Sequence, residues 1–294
     1  MKKLKSKNLL DILIQLILAV AVVLFILMPF LSVFKESLII DGNIDFSYYE
    51  NILTNKKLLI NSLKLATLTS FFSIILATIL AIYIYLSKSK VKKVFNLILL
   101  ITLVSPPFVT SLSYITLFGR RGFITHNLYI IPGTFFGLGY LLYFKSSPLM
   151  ITGTSIIVVL NVLFKQLPFS SRVGNTAMKS IDTDMINSLR DLGANTFYEI
   201  KDGIIPNIKP SLRISLINSF TTTMTTVGSI IFLVYPGKKL LTLVMFDVIN
   251  SGRYGEGSVI ALLIMIICIV FNLLINFIFG QGTLKERSTY VFGN

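Results

Sequence analysis

Among 294 residues, 54% are hydrophobic and only 14% charged, with a formal net charge of +14, whereas a soluble domain carries about 25% charged residues. That balance excludes an ordinary water-soluble domain and leaves an integral membrane protein in contact with the lipid bilayer. The basic excess requires no nucleic acid, because Lys and Arg at the cytoplasmic ends of membrane spans produce it without a polyanion.

Six runs reach the roughly 20 apolar residues with which a helix crosses about 30 Å of hydrocarbon. They lie at about 11–34, 62–87, 94–118, 148–169, 211–235 and 257–280. The first, behind MKKLKSKNLL, outruns the roughly 7 to 15 apolar residues of a signal core and reads as a transmembrane helix. The second places Ala66, Ser70, Ser73, Ala77 and Ala81 on one face, the pattern of close helix packing. The third holds Pro106 and Pro107, which bend a helix either beside a pathway or for structural reasons alone. The expected fold is therefore all-α integral membrane: six transmembrane helices in one domain over residues 1–294.

Basic residues orient these spans. Lys2, Lys3, Lys5 and Lys7 precede the first, Lys88, Lys90, Lys92 and Lys93 separate the second and third, and Lys285 and Arg287 follow the sixth. By the positive-inside rule both termini are cytoplasmic, as is the interval 170–210 with Arg172, Lys179, Arg190, Lys201 and Lys209. Arg120, Arg121, Lys238 and Lys239 on the opposite side weaken the bias without reversing it. The Gly- and aromatic-rich loop 119–147 contains His126, the only histidine; it is a solvated side chain or a pH-sensitive group.

In the fifth span Ser215, Asn218, Ser219, Thr222, Thr225, Thr226 and Ser229 recur at helical spacing. Two readings stay open: polar glue between packed helices, or the wall of a hydrated path, with Asn218, Thr222, Thr225 and Ser229 as its lining. The run Thr223–Gly228 also imitates the start of a cation-channel filter. Ser229, Ile230 and Ile231 follow instead of Tyr-Gly-Asp, and the apolar helix pattern is expected to continue, which leaves a channel as a distant alternative.

The polar stretch from Asp182 to Pro210 is written as a protrusion. Asp182 caps a helix with Met185, Ile186, Leu189 and Leu192 on one side, and Gly193 supplies a left-handed stop. Thr196 and Glu199 match a capping box for a second helix, Gly203 is expected to end it, and Pro206 and Pro210 lead back to the membrane. No phosphate loop of the form G-x-x-x-x-G-K-[ST] occurs, so ATP hydrolysis needs another chain. With one histidine and one cysteine, Cys268, within an apolar run, no catalytic constellation, metal site or cofactor site is expected.

The run NSLRDLGANTFYEIKDGIIP resembles the cytoplasmic signature of ABC importer permeases: Glu-Ala-Ala, three residues, Gly, nine residues, Ile, one residue, Leu-Pro. Gly193 and Pro206 fall at that spacing; Asn187, Ser188 and Leu189 occupy the triplet, Gly203 replaces the Ile and Ile205 the Leu. LPFSSRVGNTAMKSID, the segment SFTTTMTTVGSIIFLVYPGKKLLTLVMFDVINSGRYGEGS, SPPF and FGRRGFIT look like permeases of iron(III) and 2-aminoethylphosphonate importers. The resemblance implies that residues 182–206, between spans four and five, form the coupling helix that fits a cleft in an ATP-binding subunit, with Asn187, Ser188, Leu189, Gly193, Thr196, Glu199, Gly203, Ile205 and Pro206 as its residues. It further implies a bacterial plasma-membrane importer with a second permease copy or paralogue, two ATP-binding subunits carrying ATP and Mg, and an extracytoplasmic substrate-binding protein. The implied cargo is iron(III), with 2-aminoethylphosphonate or another small solute as the alternative.

Overall fold

A helix whose solvent is lipid needs no polar face, and the first helical segment has none. The computed structural model describes residues 9–40, 43–87, 91, 93–95, 133–145, 150–234 and 239–291. In it α1 (Leu9–Val22) passes through a π turn at Val23–Leu27 into α2 (Met28–Leu38), and Phe25 and most of its apolar neighbours are exposed in the single chain. Among the described residues four helices are long and apolar enough to cross a membrane: Leu13–Leu38, Lys56–Leu86, Ser155–Lys179 and Tyr254–Phe279. They overlap the first, second, fourth and sixth expected spans, the helix at the fourth starting at Ser155 and running past 169 to Lys179. The third span, beyond its first residues, lies outside the described residues together with Pro106, Pro107 and His126. So do Lys2, Lys3, Lys5, Lys7, Lys88, Lys90, Lys92, Arg120, Arg121 and Lys238.

The chain divides into two compact units, one of Met1–Lys56 with Val244–Met265, the other of Lys57–Leu243 with Ile266–Asn294. In the first, Ile39–Ile40 (β1) pairs antiparallel with Asn43–Ile44 (β2) ahead of α3 (Ser47–Thr54). Asp45 accepts the Ser47 N–H at 2.8 Å, and Tyr49 donates its hydroxyl to Ser37 Oγ at 2.9 Å.

The second unit contains α4 (Lys56–Leu86), α5 (Gly133–Tyr143), α6 (Ser155–Lys179), α7 (Thr183–Asp191), the one-turn α8 (Thr196–Tyr198) and α9 (Ile205–Thr225). Two further helices, α10 (Leu241–Asn250) and α11 (Tyr254–Val291), follow among the described residues. The expected small-residue face of α4 is the buried one: Ala66, Ser70, Ser73, Ala77 and Ala81 are all at most 2% exposed. A Cβ added at Gly174 of α6 would sit 3.1 Å from the Ala81 Cβ, so small residues on both helices permit the approach. Leu65, Ile157, Val158, Val162, Ile230, Leu233, Leu240 and Leu243 form one apolar core; Ala81, Met178, Ile181, Ile186, Ile204 and Ile208 form another.

The interval 211–235 is not one continuous helix. α9 stops at Thr225, Thr226 turns extended at φ −73°, ψ 129°, and residues 228–233 follow as turns. Thr225, Thr226, Val227 and Gly228 are poor helix formers in succession, and hydropathy alone does not register that. Irregular backbone at membrane depth needs protein cover. Here Ile230 and Leu233 lie in the first core, and Gly137 of α5 lies so close to the Ser229 carbonyl that a Cβ there would overlap it. The expected continuation of the helix through Ser229–Ile231 is thus corrected.

Candidate functional site

The segment joining α6 to α9 is built from capping chemistry. Asp182 Oδ1 accepts the Asp184 N–H at 2.9 Å, so α7 starts where the sequence places it. It ends in a Schellman turn: Gly193 at φ +82° donates its N–H to Arg190 O at 2.8 Å, and Ala194 donates to Leu189 O at 2.9 Å. A left-handed residue at that position is the reason for glycine.

The second helix departs from the expected capping box. Asn195 is the N-cap, its Oδ1 accepting from Phe197 N at 3.0 Å and Tyr198 N at 3.2 Å. Thr196 becomes the first helical residue, and Glu199 turns away to Arg190. That pair is bidentate, with Nε to Oε1 at 2.6 Å and Nη2 to Oε2 at 3.0 Å. An amide oxygen one residue earlier fits the cap better than the Thr hydroxyl, and a guanidinium is the stronger partner for the carboxylate. Glu199 is only 5% exposed. The hydrogen bond from Arg190 holds its carboxyl below the ordinary glutamate value, against burial, which pushes it up; the same pair raises the Arg190 guanidinium.

Gly203 does not end the second helix either. The chain runs without a break from α8 through a π turn at Glu199–Ile204 into α9, and Ile205 donates its N–H to Ile200 O, five residues back. Pro206 has no N–H to give Asp202, so the wider turn absorbs the missing bond. Gly203 serves packing: a Cβ there would lie 2.8 Å from Leu189 Cδ1 and 3.0 Å from Ile186 Cδ1. Ile186, with Met185 beside it, joins the second core with Ala81, Met178, Ile204 and Ile208, so the protrusion sits on the ends of α4, α6 and α9.

Its outward side carries Asn187 and Ser188, both exposed, together with Leu192 and two side chains not singled out from the sequence, Phe197 and Tyr198. Leu192 is 84% exposed, Phe197 65% and Tyr198 50%. Leu192 was expected on the apolar side of α7, but as C-cap at φ −79°, ψ 5° it has already left the helix. Large apolar groups flanking a glycine turn were the available signal for this tip. Ile205 and Pro206 are also exposed.

In α9 the polar stripe separates into two. Ser215, Ser219 and Thr223 are buried: Ser219 donates to Ser73 Oγ at 3.3 Å and Gln166 donates its Nε2 to Thr223 Oγ1 at 2.9 Å. These residues pack α9 against α4 and α6. Asn218 and Thr222 are half-buried and Thr225 exposed, on an adjoining face open in the single chain. Ser229, fully buried and beyond the helix end, does not share that face. Among the described residues no cluster of His, Cys, Asp and Glu with metal-holding potential occurs.

This arrangement defines a multi-pass helical membrane protein with a capped helix–turn–helix protrusion between two of its spans. The chain belongs to the family of binding-protein-dependent transport system inner membrane components, whose model matches residues 73–281. It is 30% identical over 154 residues to the ferric transport system permease protein FbpB of Actinobacillus pleuropneumoniae, covering 51% of this chain and 22% of that protein. Over 142 residues it is 27% identical to the putative 2-aminoethylphosphonate transport system permease protein PhnV of Salmonella typhimurium, covering 48% of this chain and 53% of that one. The chain therefore spans about a fifth to a half of the length of these relatives. The fold matches a bacterial alginate ABC transporter crystallised with its alginate pentasaccharide-bound periplasmic protein, at TM-score 0.68 and 17% identity over 91% of this chain and 93% of that one.

Proposed function

We propose that this chain is the permease subunit of an ATP-driven importer in a bacterial plasma membrane, with both termini and the 182–206 protrusion in the cytoplasm. The observation that carries the proposal is the seating of that protrusion. Its helix is capped at Asp182, closed at Gly193, clamped by Arg190–Glu199 and rooted through Ile186 in the core that joins α4, α6 and α9. A lever so fixed at its base passes a push at its tip to three membrane helices together. The exposed Leu192, Phe197 and Tyr198 offer an ATP-binding subunit an apolar contact that needs no glutamate at Asn187. ATP and Mg belong to that subunit; its closure moves the protrusion and turns the central path between inward- and outward-facing states. Asn218, Thr222 and Thr225 fall on the open face of α9 and are the path lining we infer, shared with a second copy or a paralogue that receives cargo from an external binding protein. Iron(III) is the cargo favoured by the ferric relative, and 2-aminoethylphosphonate the alternative. Affinity purification from the native membrane is the test: an ATPase accompanies the chain, whereas a chain that purifies alone and conducts ions in planar bilayers refutes the proposal.

A further inference from the structure

Acidic residues are missing from most of the membrane-crossing sequence. From Asn51 to Ile181, and again from Gly203 to Phe246, the chain contains no Asp or Glu, so α4, α5, α6 and α9 are free of carboxylates. α6 nevertheless carries Lys165 near its middle, half-buried. Its Nζ reaches Thr226 Oγ1 at 3.5 Å, the long limit of a hydrogen bond, and no carboxylate lies in ion-pair range of it among the described residues. An ammonium held at membrane depth without a counter-charge is costly and marks a solute pathway more often than a packing solution.

The groups next to Lys165 are also incompletely paired. Asn161, one helical turn earlier on the same side of α6, is 0% exposed with neither amide atom hydrogen-bonded. Gln166 gives its Nε2 to Thr223, but its Oε1 has no partner; Ser229 Oγ, three residues after Thr226, has none either. Lys165 moreover meets α9 where the helix breaks, and interrupted helices at membrane depth are where transporters hold their solutes. The C-terminal end of α9 supplies a partial negative charge there, weaker than a carboxylate.

We propose that Lys165, assisted by Thr226 and the Asn161 amide, is a cationic subsite that holds an anionic group of the solute during passage. The solute then carries phosphate, phosphonate or carboxylate oxygens, and iron passes only with such an anion attached, because a bare cation meets Lys165 and no compensating acid. The subsite rests on the importer reading above. As the path closes and water leaves, an ammonium–oxyanion contact strengthens, so the charge acts most when the solute is occluded.

ATP-driven uptake by the assembled complex in proteoliposomes tests this, with 2-aminoethylphosphonate, ferric citrate and putrescine as probes. In the wild type an anionic probe enters and putrescine does not. Lys165→Met lowers anion uptake about tenfold, the worth of one charge-assisted hydrogen bond, while Lys165→Arg retains most of it. Thr226→Asp sets a carboxylate beside the ammonium and lowers uptake with Lys165 in place; were Lys165 only a structural cation, that change would leave uptake intact. Putrescine uptake by the wild type, undiminished anion uptake in Lys165→Met, or, if that variant fails to assemble, undiminished uptake in Thr226→Asp overturns the subsite and leaves the importer standing. A complex with no ATPase partner and no ATP-driven uptake of any probe overturns both.

Discussion

The middle of α6 and the protrusion beyond its C-terminal end are built on opposite terms. At its C-terminal end, beyond Lys179, the protrusion has its ion pair, its caps and its glycine turn all made, and no buried side-chain atom between residues 180 and 210 lacks a partner. In the middle of α6, Asn161, Gln166, Ser170 and Ser171 keep buried polar atoms unpaired, and Lys165 has no ion-pair partner among the described residues. A fully satisfied region is stiff and transmits displacement; an unsatisfied one is held in reserve for a ligand, water or a second arrangement of the helices. On the function proposed above, the difference separates a device that would be pushed from a surface that would receive.

This contrast is open to attack from either side. Gly203→Val drives a side chain into Leu189 and Ile186, and overpacking of that kind costs about 1–3 kcal/mol; the midpoint of thermal unfolding in detergent falls and ATPase binding weakens. Asn161→Leu removes two unpaired atoms, so stability holds or rises by about 1–3 kcal/mol while solute uptake falls. In the protrusion the same kind of change has the opposite sign. Arg190→Leu leaves Glu199 buried alone and destabilises most, Glu199→Leu frees a guanidinium that is 52% exposed and costs less, and the double change costs less than their sum in a double-mutant cycle. An Arg190–Glu199 cycle with no coupling breaks the comparison.

Local chemistry explains which of these features the sequence disclosed. Asp182 and Gly193 act within a few residues of themselves, so their roles could be read directly. Glu199 was misassigned to Thr196 because its real partner, Arg190, lies nine residues back across a turn, and because Asn195 competes for the cap. The end of α9 escaped because Val227, Ile230, Ile231, Phe232, Leu233 and Val234 have the hydropathy of a span without its backbone. Lys165 escaped because one charge is averaged away in a window of 20 apolar residues. The split of the α9 stripe required knowing which neighbours lie on which side, and only α4 and α6 in place supply that.

Smaller effects sharpen the same division. Alanine at Asn218, Thr222 and Thr225 together leaves thermal stability within about 0.5 kcal/mol per site but changes the uptake rate or cargo preference; unchanged transport by an intact complex assigns this face to packing. For Glu199 the lowered carboxyl value sets the sign of a pH effect. The pair's contribution is present above the value glutamate has in the unfolded chain and is lost as pH falls through the lower folded value. Acid therefore loosens the protrusion, seen as lower hydrogen-exchange protection factors, relative to the intrinsic rate at each pH, over residues 183–199, and Glu199→Gln removes that dependence.

The central claim is that the protrusion couples ATP hydrolysis to movement of the membrane helices, and Gly193 is the residue on which its shape most depends. A β-branched side chain there is strained at φ +82° by about 1–2 kcal/mol. Cargo-stimulated ATP hydrolysis by the assembled complex carrying Gly193→Val is the decisive measurement. The account predicts that the ATPase keeps its basal rate and loses stimulation together with uptake; full stimulation with normal uptake would contradict it.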